Sequence, residues 1–166
     1  MKHEKRRFLF AALAAIIGGC ALHFLYAVLP NPLTALVAPV NESVWEHLKL
    51  LFWPTLCAAW VLSMATAEKL RLWSGFLLAQ LVMPVFLLCA YYLLKCVFHL
   101  EGLPVDLALY FITMAGGFLL AYLAARSRKL ESAAPWLLLP VMLYGASLIL
   151  FTFAAPPLPV FRPPMD

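Results

Sequence analysis

Five long apolar stretches, each closed by charge, proline or glycine, dictate what this chain can become. A bilayer core about 30 Å thick is crossed by about 20 apolar residues in helical form. Stretches of that length run over residues 8–29, 44–67, 72–98, 104–125 and 134–154. Backbone N–H and C=O groups cannot stay unpaired in hydrocarbon, so each stretch must be a helix. Composition agrees: 65% of residues are hydrophobic and 12% charged, with a mean hydropathy of +0.92. Soluble domains carry about 25% charged residues, so this chain has too little polar surface to coat a globule. A soluble enzyme, a disordered chain and a nucleic-acid-binding domain are excluded, despite a pI near 9.0. The expected fold is all-α: an integral membrane bundle of five transmembrane helices, one multi-pass domain over residues 1–166. Its first partner is the lipid bilayer. Pro54, Pro84 and Pro140 are expected to kink the second, third and fifth spans, since each removes an internal hydrogen bond.

Charge asymmetry orients the bundle. Lys2, Lys5, Arg6 and Arg7 precede the first span, which predicts a cytoplasmic N-terminus. Alternation then puts Lys69, Arg71, Arg126, Arg128 and Lys129 inside as well, nine of the twelve basic residues. Lys49, Lys95 and Arg162 fall outside, with Glu42, Glu46, Glu101, Asp106 and Asp166. The tail 156–166 is expected to be extracytoplasmic. Ile17-Gly18-Gly19-Cys20 resembles a lipoprotein cleavage site, but the apolar run continues to Leu29, which suits an uncleaved span. Cys20, Cys57, Cys89 and Cys96 form no CxxC pair and read as small packing residues.

Ionisable side chains in or beside a span are costly, and they mark functional positions by default. The densest set is Asn41-Glu42-Ser43-Val44-Trp45-Glu46-His47-Leu48-Lys49, opening the second span at its outer end. On a helix, Glu42 and Glu46 stand about 40° apart, with Lys49 and Trp53 on the same flank. His47 stands about 100° from Glu46 and shares its face with Ser43. One helix thus offers two carboxylates with an imidazole beside them, and a metal site would need ligands from other spans. In the first span, Ala11, Ala15, Gly19 and His23 recur at intervals of four, a small-residue spacing that marks close helix contact in membranes. In the fourth, Asp106 lies within about 20° of the small-residue stripe Thr113, Gly117, Ala121 and Ala125. Tyr91 and Lys95 reach the same level on the third span. The topology therefore places His23, Glu42, Glu46, His47, Asp106 and Tyr91 at one depth near the outer leaflet, with Asn41 beside them.

Structural roles compete for the same residues. Ser43 and Glu46 fit a capping box, in which Glu46 reaches back to the cap N–H. Glu46 and Lys49 fit a local ion pair. Asp106 suits a helix N-terminus. Trp45, Trp53, Tyr91 and Tyr92 suit an interfacial aromatic belt. Interhelical hydrogen bonds account for Gln80, Tyr144 and Ser147.

The run from Val40 to Leu50, with Asn-Glu-Ser-Val-Trp-Glu-His-Leu-Lys at its centre, resembles a family of small bacterial multi-pass membrane proteins known only as a domain of unknown function. The pair His23-Phe24, the opening acid Asp106, and the ending Phe151-Thr152-Phe153, Pro156-Pro157 and Phe161-Arg162 are similar too. Pro157 and Pro163 stand where the family has a histidine and an acid. The resemblance implies a fold and a motif, and no activity.

Three functions fit these residues. A non-catalytic scaffold, sensor or assembly partner uses the polar cluster to hold helices together, within a homo-oligomer or against another membrane protein. A metal-dependent, hydrolase-like enzyme at the outer leaflet would bind a divalent ion such as zinc on His23, His47 and Glu42 or Asp106, with Glu46 as general base. A small-ion or proton carrier would use the intramembrane Glu and His as relays.

Overall fold

The computed structural model describes residues 2–163; Asp166, expected on the outer side, is not among the described residues. Six α-helices follow one another: α1 (Lys2–Val28), α2 (Pro32–Val37), α3 (Val44–Met64), α4 (Lys69–Cys96), α5 (Leu103–Ala124) and α6 (Ala134–Phe153). Short 3₁₀ segments occupy Arg128–Ala133 and Pro159–Phe161, and no strand occurs among the described residues. The protein is all-helical, and every helix except α2 is long and apolar enough to cross a membrane. α1 starts well before Phe8, so Lys5, Arg6 and Arg7 ride on the first turns of the helix itself.

The short α2 was not expected within the 30–43 connection. Its start is nonetheless written in the residues. Asn31 caps it by accepting from the N–H groups of Leu33 (2.9 Å) and Thr34 (3.1 Å), while Thr34 Oγ1 accepts from Asn31 N–H. Pro32 sits where its missing N–H costs nothing.

α3 is the most enclosed of the long helices. It packs against α1 on one side and α4 on the other, and α4 lies along α5. The helices alternate in direction, which makes two poles. At the first, Phe8 stacks on Phe76 (5.7 Å between centroids), with Tyr122 and Phe118 edge-on to them. There Arg7 donates to the Ala65 carbonyl (3.1 Å), and Arg71 pairs with Glu68 and faces Glu131 (3.8 Å). The second pole gathers the ends of α1, α4 and α6 with the starts of α3 and α5, and it carries the polar cluster.

Small residues set the helix spacing. A Cβ at Gly75 of α4 would collide with the Ala121 carbonyl oxygen of α5. A Cβ at Gly19 of α1 would collide with the Tyr110 hydroxyl and lie 3.0 Å from the Leu50 carbonyl oxygen. Leu50 O is the acceptor that Pro54 leaves without its helical donor. Gln80 crosses from α4 to donate to Phe52 O (2.8 Å), as an interhelical bond should. Tyr144 and Ser147 depart from that expectation. Ser147 bonds back to Tyr144 O within α6, and the buried Tyr144 hydroxyl has no partner among the described residues. The outward faces are apolar: Trp60, Val61, Leu139, Met142 and Leu143 are all exposed.

Two glycines test this spacing against each other. Gly75→Ala should destabilise the detergent-solubilised protein by about 1–3 kcal/mol, because the obstacle is backbone and cannot swing aside. Gly116→Ala meets nothing within 4 Å and should be neutral, or stabilising by up to about 1 kcal/mol through helix propensity. Thermal unfolding of the two variants measures the difference.

Candidate metal centre

The polar pole is built around the start of α3. Ser43 is the cap, with extended φ and ψ of −71° and 149°, and its Oγ accepts from Glu46 N–H (3.4 Å). The helix begins at Val44, so Glu42 lies ahead of it and the expected two-carboxylate face does not form. The capping box is only half made. Asn41 Oδ1 takes the Ser43 N–H (2.9 Å), which frees the Glu46 carboxylate to go elsewhere. Asn41 is therefore a turn residue and does not line the cavity described below.

Glu46 and Lys49 form the inward half of the cluster. Lys49 is 0% and Glu46 2% exposed, with Nζ 2.7 Å from Oε2. The ammonium also donates to the carbonyls of Ala35 (2.8 Å) and Ala38 (3.2 Å), which uses all three of its N–H groups. Glu46 in turn accepts from Val40 N–H (3.0 Å) and from the Thr152 hydroxyl (2.9 Å). Both carboxylate oxygens are engaged and neither faces the cavity, which is no placement for the general base expected at Glu46. Aromatic rings close the network: Trp45 packs on Phe161 (4.8 Å) and Phe151 (5.6 Å), and Trp53 Nε1–H donates to Leu36 O (3.1 Å). Trp53 thus finds an acceptor inside the protein, whereas the buried Trp45 Nε1–H has none among the described residues and its ring is held by packing alone.

The outward half starts one residue on from Glu46, on another face of α3. His47 Nδ1 lies 2.8 Å from Ser43 O. A carbonyl only accepts, so Nδ1 carries a proton and Nε2 of the neutral ring presents its lone pair. That nitrogen is 3.4 Å from Glu42 Oε2. A proton on the ring or a metal ion between the two atoms would make this contact attractive. From α1, the His23 ring approaches to 5.2 Å from the His47 ring, braced edge-on by Phe24. Gly19, one turn earlier, permits that approach by letting α1 press against Leu50. One ligand atom from each of His23, Glu42 and His47 lies within 4.8 Å of the others. With metal–ligand bonds of about 2.1 Å, a tetrahedral edge is about 3.4 Å. The His47–Glu42 pair already has that length.

These three residues share a cavity of about 350 Å³ with Asp106, Tyr91 and Tyr110. Cys20, Leu50, Leu87, Leu107 and Leu109 supply much of its apolar wall. Asp106 enters from the first turn of α5. Lys95, one turn after Tyr91 on α4, pairs with Glu101 (3.4 Å). Of the residues expected at one depth, His23, Glu42, His47, Asp106 and Tyr91 meet here, and Glu46 and Asn41 do not. Sequence reasoning passed over Tyr110, whose hydroxyl donates to Ile16 O (3.1 Å). The expected ion pair of Glu46 with Lys49 does form (2.7 Å), but its complete burial was not foreseen. The signal for Lys49 was its place in an apolar run three residues after Glu46.

The chain belongs to the family of unknown function DUF6512, whose family model matches residues 1–166. No curated protein and no solved structure matches it.

The buried pair has a distinctive signature. Lys49→Met alone should cost about 3–5 kcal/mol, because it strands Glu46 as a buried charge. Glu46→Gln alone should cost a similar amount, whereas a capping role would make it mild. The double variant Glu46→Gln/Lys49→Met should recover much of the loss. A double-mutant cycle on unfolding of the solubilised protein measures all three.

Proposed function

We propose that this DUF6512 protein is a membrane metalloprotein that holds one divalent ion, of zinc type, on His23, His47 and Glu42. It spans the bilayer with its N-terminus cytoplasmic and its C-terminus extracytoplasmic, so the ion lies at the outer end of the bundle. The observation that carries this reading is the convergence of three ligand atoms within 4.8 Å, drawn from α1, the turn before α3, and α3 itself. Two imidazoles and one carboxylate, with a fourth position open, form the ligand set of catalytic rather than structural zinc. The bond from His47 to the Ser43 carbonyl is the kind that orients a ligating histidine and fixes its tautomer. The bilayer placement is supported by five long apolar helices and by the nine-to-three division of basic residues between the poles.

A bound divalent ion lowers the pKa of its water toward neutrality and makes it a nucleophile. Asp106, which lines the same cavity, is the carboxylate left over to accept that water's proton. It takes the general-base role that Glu46, with its oxygens engaged, does not fill. The scaffold reading keeps its own support, in a different set of atoms: the Glu46–Lys49–Thr152 network ties helices together and offers no open ligand. The polar cluster thus divides into a structural half and a metal half.

Metal analysis of the detergent-purified full chain is expected to find about one zinc per chain after loading and removal of excess. Zinc should raise the unfolding temperature of the parent by mass action. His23→Ala, His47→Ala and Glu42→Gln should each lose stoichiometric zinc and the zinc-dependent rise, yet unfold like the metal-free parent. Cys20→Ser, on the same cavity wall, should keep its zinc. A parent chain that takes up no zinc or cobalt overturns the reading.

A further inference from the structure

We infer that the cavity under the His23–Glu42–His47 site holds about eight tail carbons of a single-chain amphiphile whose oxygen-donor headgroup meets the metal; this rests on the metal reading above. The cavity has two chemically distinct ends. Glu42 and Asp106 are exposed, and His23 and His47 are half-buried, so the polar groups lie toward the solvent end. Leu50, Leu87 and Leu109 are buried and form the floor.

Volume sets the length of the tail. At about 30 Å³ per methylene, close to one water's share of the liquid, 350 Å³ accommodates about twelve groups of that size; with the headgroup taking the polar end, about eight tail carbons lie inside. Water is a poor occupant, because the floor offers it no ring of hydrogen-bonding partners. A hydrocarbon chain fills the same space by contact alone.

Charge and access select the rest of the ligand. Two carboxylates beside the histidines repel an anionic headgroup until a divalent ion offsets them, so headgroup and metal bind together. Phe24 of α1 and Leu103 and Leu107 of α5 are exposed to the surroundings and also line the cavity. The cavity wall therefore reaches the outer face of the bundle between α1 and α5, where acyl chains lie in a bilayer. A ligand with its tail in the membrane and its head at the interface enters sideways without first crossing water.

The test uses the cobalt-loaded full chain in phosphatidylcholine nanodiscs, with the visible absorption of cobalt as readout. Two probes share one headgroup: dodecanohydroxamic acid and acetohydroxamic acid. The long probe should perturb the cobalt band at a concentration at least about tenfold lower than the short one. Part of that preference is membrane partitioning, which a variant shares with the parent. Leu109→Trp, filling the floor, should cut the preference several-fold below the parent's while cobalt stays bound. Leu107→Trp, at a position 42% exposed where a larger side chain fits, should do the same and decides the matter if Leu109→Trp does not fold. Equal chain-length preference in the parent and the folded variants overturns the amphiphile while leaving the metal site standing. A parent that binds no cobalt overturns both.

Discussion

The second pole of this protein depends on one buried ion pair. Lys49 sits in the interior of an apolar bundle, where an unpaired ammonium would cost several kcal/mol. Keeping it charged requires three acceptors, and these come from three places: Glu46 one turn back, and the carbonyls of Ala35 and Ala38 at the end of α2. Glu46 needs donors of its own and draws in Val40 N–H and the Thr152 hydroxyl. The chain from 35 to 46 and the end of α6 are thereby folded onto the start of α3. A buried pair is weak support for net stability, since apolar residues of similar shape often do as well. Its contribution here is to specify one arrangement: the ammonium and the carboxylate are satisfied together only where the Ala35 and Ala38 carbonyls, Val40 N–H and the Thr152 hydroxyl meet them.

The candidate metal site is a consequence of that arrangement. The turn at 40–43 is held at Val40 by Glu46 and at Ser43 by Asn41, which leaves Glu42 projecting beside His47. His47 follows Glu46 on a different face of α3, so the residue that anchors the helix start also aims its neighbour outward. His23 arrives from α1 by a separate device, the contact of Gly19 with Leu50 and Tyr110. Structure and chemistry are carried by adjacent residues with opposite requirements. Glu46 is fully satisfied and enclosed, whereas Glu42 is exposed and His47 half-buried.

The five long helices were readable from the sequence because hydropathy over 20 residues is a local property that tertiary context rarely overrides. Topology alone brought His23 and Asp106 to the same end of the bundle as Glu42 and His47. What escaped notice was set by partners distant in sequence. Glu46 was assigned to its own cap, to a pocket or to a pair with Lys49, and only the pair was local enough to be foreseen in full; nothing local announces Thr152, 106 residues away. The wheel angle between Glu42 and Glu46 failed since it presumes a helix at both residues, and Ser43 starts the helix between them. The six-residue α2 is too short to show periodicity, although Asn31, Pro32 and Thr34 mark its start. Tyr144 looked like an interhelical donor by type, and only packing reveals that nothing stands opposite it.

The central claim is that two imidazoles and a carboxylate converge on one divalent ion. Zinc K-edge X-ray absorption of the loaded full chain addresses that claim at the atoms concerned. A first shell of nitrogen and oxygen at about 2.0–2.1 Å is expected, with the outer-shell scattering of two histidine rings. His23→Ala should reduce that outer-shell signal to one ring. Sulfur scattering at about 2.3 Å, or zinc surrounded only by water-like oxygens, would contradict the account.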